Sequence, residues 1–493
     1  MRIALLTALA IGAAFLLPAV DPPNKPDVVS LLQKQIADHP GAPEPNVYLV
    51  EILLRAERFD EADDVIKVAL AANSQASDLH RAHGDLLFRE GHIIDADAEY
   101  KAAFKLDKNN ARAIYGISRT FSVAGLRARA AGLVRAAHQL APEDEEINAA
   151  FYALDTAGAA ALWDGALKNP RVLADPDHKQ YAETQLARAK LLNGKHEFEL
   201  ASPYRTYQLP YRVLYDGKRP TGMGATILIN GVKSELRLDT GASGVTVSSG
   251  FAAKAGIQRI GGSKLGGIGN AGSVDTWTGY AERMQIGDIE FQNIIVDVKE
   301  KGSVDDSGGL LGTDIFKRFL VRINFRAGRI ELDPLPGTPW DGFTPVDRYA
   351  GPEVKEFAQT FQVHHMLLIP TLVSEKTKSD QTSNLFLVDT GATFNNISTN
   401  LAPTVTKLRN NNYMTVKGIS GKVKMVYQAD QVVLQFASFR QTNLGLTSLD
   451  MTNISRSASV EVSGILGLPL LSLFESFTID YSDAGIKFVY SGH

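Results

Sequence analysis

The chain has 493 residues, 44% of them hydrophobic and 22% charged, with a net charge of −4. This is an ordinary globular composition, long enough for about three domains and without the basic excess that nucleic acid binding requires. There is no cysteine, and the 10 histidines show no metal-ligand spacing, so disulfides, thiolate nucleophiles and a zinc hydrolase lack the residues they need, and no metal or cofactor is expected.

The chain opens with Arg2, an apolar run from Ile3 to Leu17, then Pro18-Ala19-Val20 and the polar Asp21-Pro22-Pro23-Asn24. A charged start followed by an apolar stretch too short to span a bilayer reads as a secretory signal over residues 1–20. Leu17 and Ala19 fit a small-x-small cleavage pattern only loosely, which leaves an uncleaved N-terminal anchor open. On either reading the bulk of the chain is exported: periplasmic, extracellular, or anchored outside the cytoplasm. Membrane contact is expected only through that anchor.

Residues 27–200 read as helical. Within 43–144 the pattern repeats at a period of 34: Leu53, Leu87 and Phe121; Ala69, Ala103 and Ala137; Phe59 and Ile93; Ala62 and Ala96; Gly91 and Gly125; Leu106 and Leu140. Small residues recur where two helices must touch, and large apolar ones fill the gaps between them. The period and pattern resemble tetratricopeptide repeats, which stack into a solenoid because one unit cannot bury its apolar face alone. Helical spacing continues in Ala149–Leu162 and Tyr181–Leu192, as a fourth repeat or a capping pair. The solenoid serves either as a groove for a peptide or protein partner or as a spacer and structural cap.

Near residue 203 the helical period stops. Short β-rich runs bounded by Gly, Asn and Asp follow, such as Ala225–Asn230, Glu235–Leu238, Ile294–Val298, Val321–Phe325 and Arg329–Leu332, which read as strands. This first β lobe spans 203–335. A Pro- and Gly-rich stretch at 336–356 marks a linker, and a second β lobe spans 357–493. The fold class is therefore multidomain α + β: a helical solenoid followed by two all-β lobes.

The two lobes are copies of each other. Leu236-Arg237-Leu238-Asp239-Thr240-Gly241-Ala242-Ser243 is matched by Phe386-Leu387-Val388-Asp389-Thr390-Gly391-Ala392-Thr393. Gly309-Leu310-Leu311-Gly312 is matched by Gly464-Ile465-Leu466-Gly467. From Asp239 to Gly312 is 73 positions, and from Asp389 to Gly467 is 78. Two motifs in the same order at near-equal separation indicate a duplicated domain.

An apolar strand ending in Asp-Thr-Gly delivers a carboxylate to the edge of a core. The following Gly lets the backbone turn sharply and its N–H reach that carboxylate. The Thr hydroxyl, both donor and acceptor, can lock one loop to a symmetry mate. Two such loops brought together set two carboxyls face to face; both cannot ionise easily, so one proton is shared. The charged carboxyl can then take a proton from water while the other donates to a peptide carbonyl. A Gly-apolar-apolar-Gly strand complements each loop, since its glycines allow close packing.

Two Asp-Thr-Gly-Ala-(Ser/Thr) loops, each followed by Gly-(Leu/Ile)-Leu-Gly, resemble the aspartic proteases of the retropepsin type, over roughly 205–335 and 360–490. The resemblance implies two barrel-like acid-protease lobes paired in one chain, as in pepsin, and an endopeptidase acting on a peptide or protein substrate. It assigns Asp239 and Asp389 as the catalytic dyad, Thr240 and Thr390 as the interlocking hydroxyls, and Gly241 and Gly391 as backbone donors. It also implies a Gly-tipped flap over the substrate, here Leu265–Gly272 with Gly267, Ile268 and Gly269 at its tip, and a shorter counterpart at Lys417–Lys422. Trp277 and Tyr280 on the following strand either line the cleft or fill the barrel. The second lobe departs in having Pro469 where the first has Asp314, and in a polar insert, Glu375–Ser383. The adjacent His364-His365 pair, taken as strand residues pointing to opposite faces, reads as incidental. The competing reading is a scaffold protein whose repeats bind a partner and whose β lobes are inactive.

Overall fold

The computed structural model describes residues 26–154, 156–269, 273–300, 308–337, 347, 356–375, 382–411, 414–423 and 425–490. The apolar start at 1–20, most of the 336–356 linker, residues 270–272 of the first flap and 376–381 of the polar insert lie outside the described residues. The chain forms two compact units, one chiefly of residues up to 179 and one chiefly of residues from 180 onward.

The first unit is helical. Pro26–Asp38 is followed by three helical hairpins: Pro43–Arg55 with Phe59–Ala72, Ser77–Arg89 with Ile93–Leu106, and Ala111–Val123 with Arg127–Leu140. Corresponding helices begin 34 residues apart. The small residues of the sequence period, Ala62, Ala69, Ala96, Ala103 and Ala137, are fully buried, because a larger side chain would separate the helices that meet there. Tyr100 fills the space such residues leave. Its ring lies against Gly84, where a Cβ would come within 2.7 Å of it. Its buried hydroxyl donates to Asp85 at 2.7 Å, which removes the cost of an unpaired polar group. Asn110 starts the next helix by accepting the Ala113 N–H at 2.9 Å, a side-chain cap for one of the orphan donors of the first turn. The stretch 149–162 is not one helix. Glu145–Tyr152 ends and Thr156–Ala166 begins after a turn; the apolar period runs through it because the turn residues Ala153 and Leu154 are themselves apolar. Pro170–Ala174 and Pro176–Leu192 complete the helices before the β region. No described helix is long and apolar enough to cross a membrane.

In the second unit, two β lobes share a floor. A six-stranded sheet runs in the order Ala358–Gln359, Gly485–Val489, Ser476–Asp480, Phe319–Asn324, Arg329–Pro334, Tyr207–Pro210. Its central pairing joins the lobes: Leu320–Asn324 lies antiparallel to Ser476–Asp480. Strand Phe319–Asn324 alternates buried and half-buried residues, with Phe319, Val321 and Ile323 facing the core, as a half-covered sheet requires. Above this floor the first lobe forms a nine-stranded sheet and the second an eight-stranded one.

The local topology around the two Asp strands is the same in both lobes. Strand Val232–Asp239 runs parallel to Gly309–Gly312, with Leu238 opposite Leu311 and Asp239 opposite Gly312. Strand Thr382–Asp389 runs parallel to Gly464–Gly467, with Val388 opposite Leu466 and Asp389 opposite Gly467. Each glycine strand also pairs antiparallel with the strand that follows its Asp loop, Val245–Ser248 in one lobe and Asn396–Ser398 in the other. The glycine strand therefore threads between the two arms of the loop. Leu236, Leu238, Leu311, Val388 and Leu466 are fully buried and seat both Asp strands in one continuous core.

Candidate active site

The two Asp loops are held together by their threonines. Thr240 Oγ1 donates to the Val388 carbonyl at 2.7 Å and accepts the Thr390 N–H at 3.0 Å. Thr390 Oγ1 donates to the Leu238 carbonyl at 3.4 Å and accepts the Thr240 N–H at 3.1 Å. Each hydroxyl thus satisfies two backbone groups of the opposite lobe, and both threonines are buried. All four groups lie away from water, where leaving any unpaired is costly.

That lock sets the carboxyls face to face, close enough for each to act on the other's proton. The Gly241 N–H donates to Asp239 Oδ1 at 2.8 Å. The Gly391 N–H donates to Asp389 Oδ1 at 2.7 Å, and the Ala392 N–H joins it at 3.1 Å. Glycine is required at both positions by space. A Cβ at 241 would lie 2.8 Å from the Asp389 carboxyl carbon, and one at 391 would collide with the Asp239 carboxylate. Both Asp residues stay partly exposed while their threonines are fully covered, so solvent reaches the carboxyls and not the lock.

Burial raises both carboxyls above the ordinary range. Asp389 is raised furthest, by burial and then by the negative charge of Asp239. For Asp239 burial is opposed by the hydrogen bond from Asp389 and the Gly241 N–H, with smaller help from Arg237 and His365. The arrangement therefore favours one proton shared between the two carboxyls.

The glycine strands support the loops through close approach. A Cβ at Gly312 would lie 2.5 Å from the Ala242 carbonyl oxygen, and one at Gly467 would lie 2.5 Å from that of Phe394. The polar support differs between lobes. In the first, Asp314 accepts the Gly244 N–H at 2.9 Å and the Ser243 hydroxyl at 3.3 Å. In the second, where Pro469 replaces the acid, Asn395 on the loop accepts the Gly467 N–H at 2.9 Å. The tie is kept with its direction reversed. Asn395 is a support the sequence reading did not pick out; a polar residue next to the loop, opposite a lobe that has lost its acid, was the available signal.

The flap tips meet. Gly267, Ile268 and Gly269 lie beyond the end of strand Gln258–Gly266, and the counterpart Lys417–Gly418 pairs with Gly421–Lys422. The Ser420 N–H donates to the Ile268 carbonyl at 3.0 Å, and Asn453 donates to that of Gly269 at 3.1 Å. Ile268 packs on Val416, Val426 and Leu449 of the second lobe. Residues 270–272 lie outside the described residues. Trp277 belongs to the barrel core, and Tyr280 donates to Asn293 at 3.3 Å.

The His364-His365 pair requires a correction. It does not lie in a strand; it forms the turn between strands Phe361–Val363 and Met366–Ser374. His364 takes a left-handed φ of 57°, and His365 Nε2 comes within 3.2 Å of the Gly241 carbonyl. The alternation argument that made the pair incidental applies to strands and fails at a turn.

Residues 225–318 match the family model described as "gag-polyprotein putative aspartyl protease", a span containing the Asp239 loop, the first flap and the Gly309–Gly312 strand. No curated protein matches the chain. Among solved structures, the aspartic proteinase from Irpex lacteus is similar with a TM-score of 0.35 and 12% identity, over 58% of this chain and 97% of its own. A retropepsin-like aspartic protease from Rickettsia conorii is similar with a TM-score of 0.21 and 22% identity, over 26% of this chain and 92% of its own. The family match falls on the first lobe, and the second repeats that lobe's Asp loop, glycine strand and register: the β region of this chain is a duplicated pair of lobes, the first of which matches the aspartyl protease family model.

Proposed function

We propose that the chain is an endopeptidase that hydrolyses peptide bonds with Asp239 and Asp389 as its catalytic pair. The observation that carries this reading is the reciprocal threonine lock, which holds the two carboxyls in mutual contact at a partly open site. Ionised Asp239 takes a proton from a water molecule, whose oxygen attacks the scissile carbonyl carbon. Protonated Asp389 donates to the carbonyl oxygen. Collapse of the tetrahedral species breaks the C–N bond: the proton held by Asp239 passes to the leaving nitrogen, and a hydroxyl of the gem-diol returns its proton to Asp389 as the carboxyl product forms. The Gly241 and Gly391 N–H groups keep the carboxyls oriented throughout, and the flap tips exclude water from the reacting atoms.

Because one carboxyl must carry a proton, activity is expected to peak at acidic or mildly acidic pH. The test is cleavage of a fluorogenic peptide library by the full chain across pH 3–7, with a statine-type inhibitor as control. Asp239→Asn and Asp389→Asn should each abolish cleavage; undiminished cleavage in either variant removes that residue from the mechanism. Activity rising steadily above pH 8 contradicts the shared proton.

Two further parts of the reading rest on sequence. The apolar start supports export, by a cleaved signal or an anchor; a chain lacking residues 1–20 should stay in the cytoplasm on fractionation. The 34-residue helical period supports a solenoid that receives a protein or peptide partner.

A further inference from the structure

His365 reaches across from the second lobe to the first. Its hairpin packs beside the Asp389 strand, since Met366–Ser374 pairs with Thr382–Asp389. Yet its ring meets the Asp239 loop, with Nε2 3.2 Å from the Gly241 carbonyl oxygen. A carbonyl only accepts, so Nε2 carries the proton. The other nitrogen, Nδ1, is buried without a hydrogen-bond partner. A charged ring would bury an unsatisfied N–H there, whereas a neutral ring presents only a lone pair. The geometry thus favours the neutral, Nε2-protonated tautomer at ordinary pH.

The groups facing the ring are Asp239 and Asp314 from the first lobe and His364 on its own turn. The two acids draw a proton to the ring; burial opposes this and prevails, so His365 titrates below the usual histidine range. The first lobe has no equivalent: its matching hairpin, Arg212–Asp216 into Arg219–Ile229, carries exposed Gly217 and Lys218 in its turn.

We propose that His365 is a positioning residue of the Asp239 loop: its Nε2 proton holds the Gly241 carbonyl in place, and with it the Gly241 residue whose N–H orients the Asp239 carboxylate. The inference rests on Asp239 and Asp389 being the catalytic pair.

The experiment compares the full-length wild type with His365→Gln and His365→Phe, reading kcat and KM for a fluorogenic peptide over pH 3–8. Gln retains an N–H near the Nε2 position and cannot titrate; Phe retains bulk and has neither. Phe should lower kcat about tenfold with KM within about twofold, since a loosened carboxyl loop misplaces the reacting groups. Gln should restore kcat to within about threefold of wild type at the optimum. A kcat in the Phe variant equal to wild type overturns the proposal, as does a kcat loss that Gln does not restore. If Asp239→Asn is inactive beside either result, the dyad reading survives. A wild-type chain inactive at every pH, or a fully active Asp239→Asn, sinks that reading and the proposal with it.

Discussion

Removing the Thr240 hydroxyl tests the lock most directly. In Thr240→Ala, the Val388 carbonyl loses the donor at 2.7 Å and the Thr390 N–H loses the acceptor at 3.0 Å. Both groups sit where water cannot replace the partner, because Thr240 and Thr390 are buried. An unsatisfied buried group costs about 1–3 kcal/mol, so with two of them the variant should lose about 2–6 kcal/mol. The other half of the lock, Thr390 Oγ1 with Leu238 and the Thr240 N–H, needs only the backbone of 240 and should persist. Thr240→Ser keeps the hydroxyl and deletes one methyl, a loss of about 1 kcal/mol. The double variant Thr240→Ala/Thr390→Ala should fall short of the summed single losses, because the two residues share one network. Urea unfolding of the β region, followed by fluorescence, measures the wild type and the four variants, Thr390→Ala included. With a slope of about 3 kcal/mol per M, a 3 kcal/mol loss moves the midpoint by about 1 M. The reasoning fails if Thr240→Ala shifts the midpoint by less than about 0.2 M, or if Ser is as damaging as Ala.

Asp389→Asn should stabilise the chain while silencing it. Burial and the charge of Asp239 raise the folded-state value of Asp389, so the native state binds a proton more tightly than the unfolded one. Stability from this group is present at low pH and falls as pH rises toward the folded-state value. Asn escapes that loss, so the variant should exceed wild type by on the order of 1 kcal/mol at pH 7 and match it near pH 3; parallel thermal-melting profiles would refute this. Ile268→Ala removes the apolar anchor that seats the first flap on Val416, Val426 and Leu449. The Ser420 amide, which donates to the Ile268 carbonyl, should then exchange about tenfold faster with solvent deuterium, and unchanged exchange would show the contact holds nothing. Gly312→Ala places a Cβ 2.5 Å from the Ala242 carbonyl and 2.8 Å from the Gly244 nitrogen. Both are backbone and neither can swing aside, so a loss of about 3 kcal/mol or more is expected. Gly250→Ala, with open space around it, is the control and should be neutral or slightly stabilising by the same melting assay.

The sequence carried the parts of this architecture that repeat. The 34-residue period located the helical hairpins because each must place small residues at the same crossing points, as the fully buried Ala69, Ala103 and Ala137 do. The Asp loops were readable because an apolar strand, a turn glycine and a distant glycine strand must all coincide to put Asp239 opposite Gly312 and Asp389 opposite Gly467. What escaped depends on single backbone angles or on contacts distant in sequence. The role of His365 follows from a left-handed residue in a two-residue turn, which no periodicity encodes. The break after Tyr152 is masked by apolar turn residues. The meeting of Ile268 with Ser420 joins two loops more than 150 positions apart, and nothing local announces it.

A rule connects the conserved and divergent halves of the duplication. Thr240, Gly241, Thr390 and Gly391 each act on the opposite lobe, through a hydroxyl to its backbone or by making room for its carboxyl. A change in one copy there injures the other, so both lobes keep the same residues. Asp314 and Asn395 act within their own lobes. Each need only tie an Asp loop to its glycine strand, and an acid accepting from the loop does this as well as an amide accepting from the strand. The lobes are therefore free to differ there, and they do. His365 is the exception that marks function: it serves the opposite lobe and has no copy in the first. Two equal loops would share the proton evenly between Asp239 and Asp389, and either could then serve as the base. A residue that crosses the interface in one direction only is a physical means of telling two identical carboxyls apart.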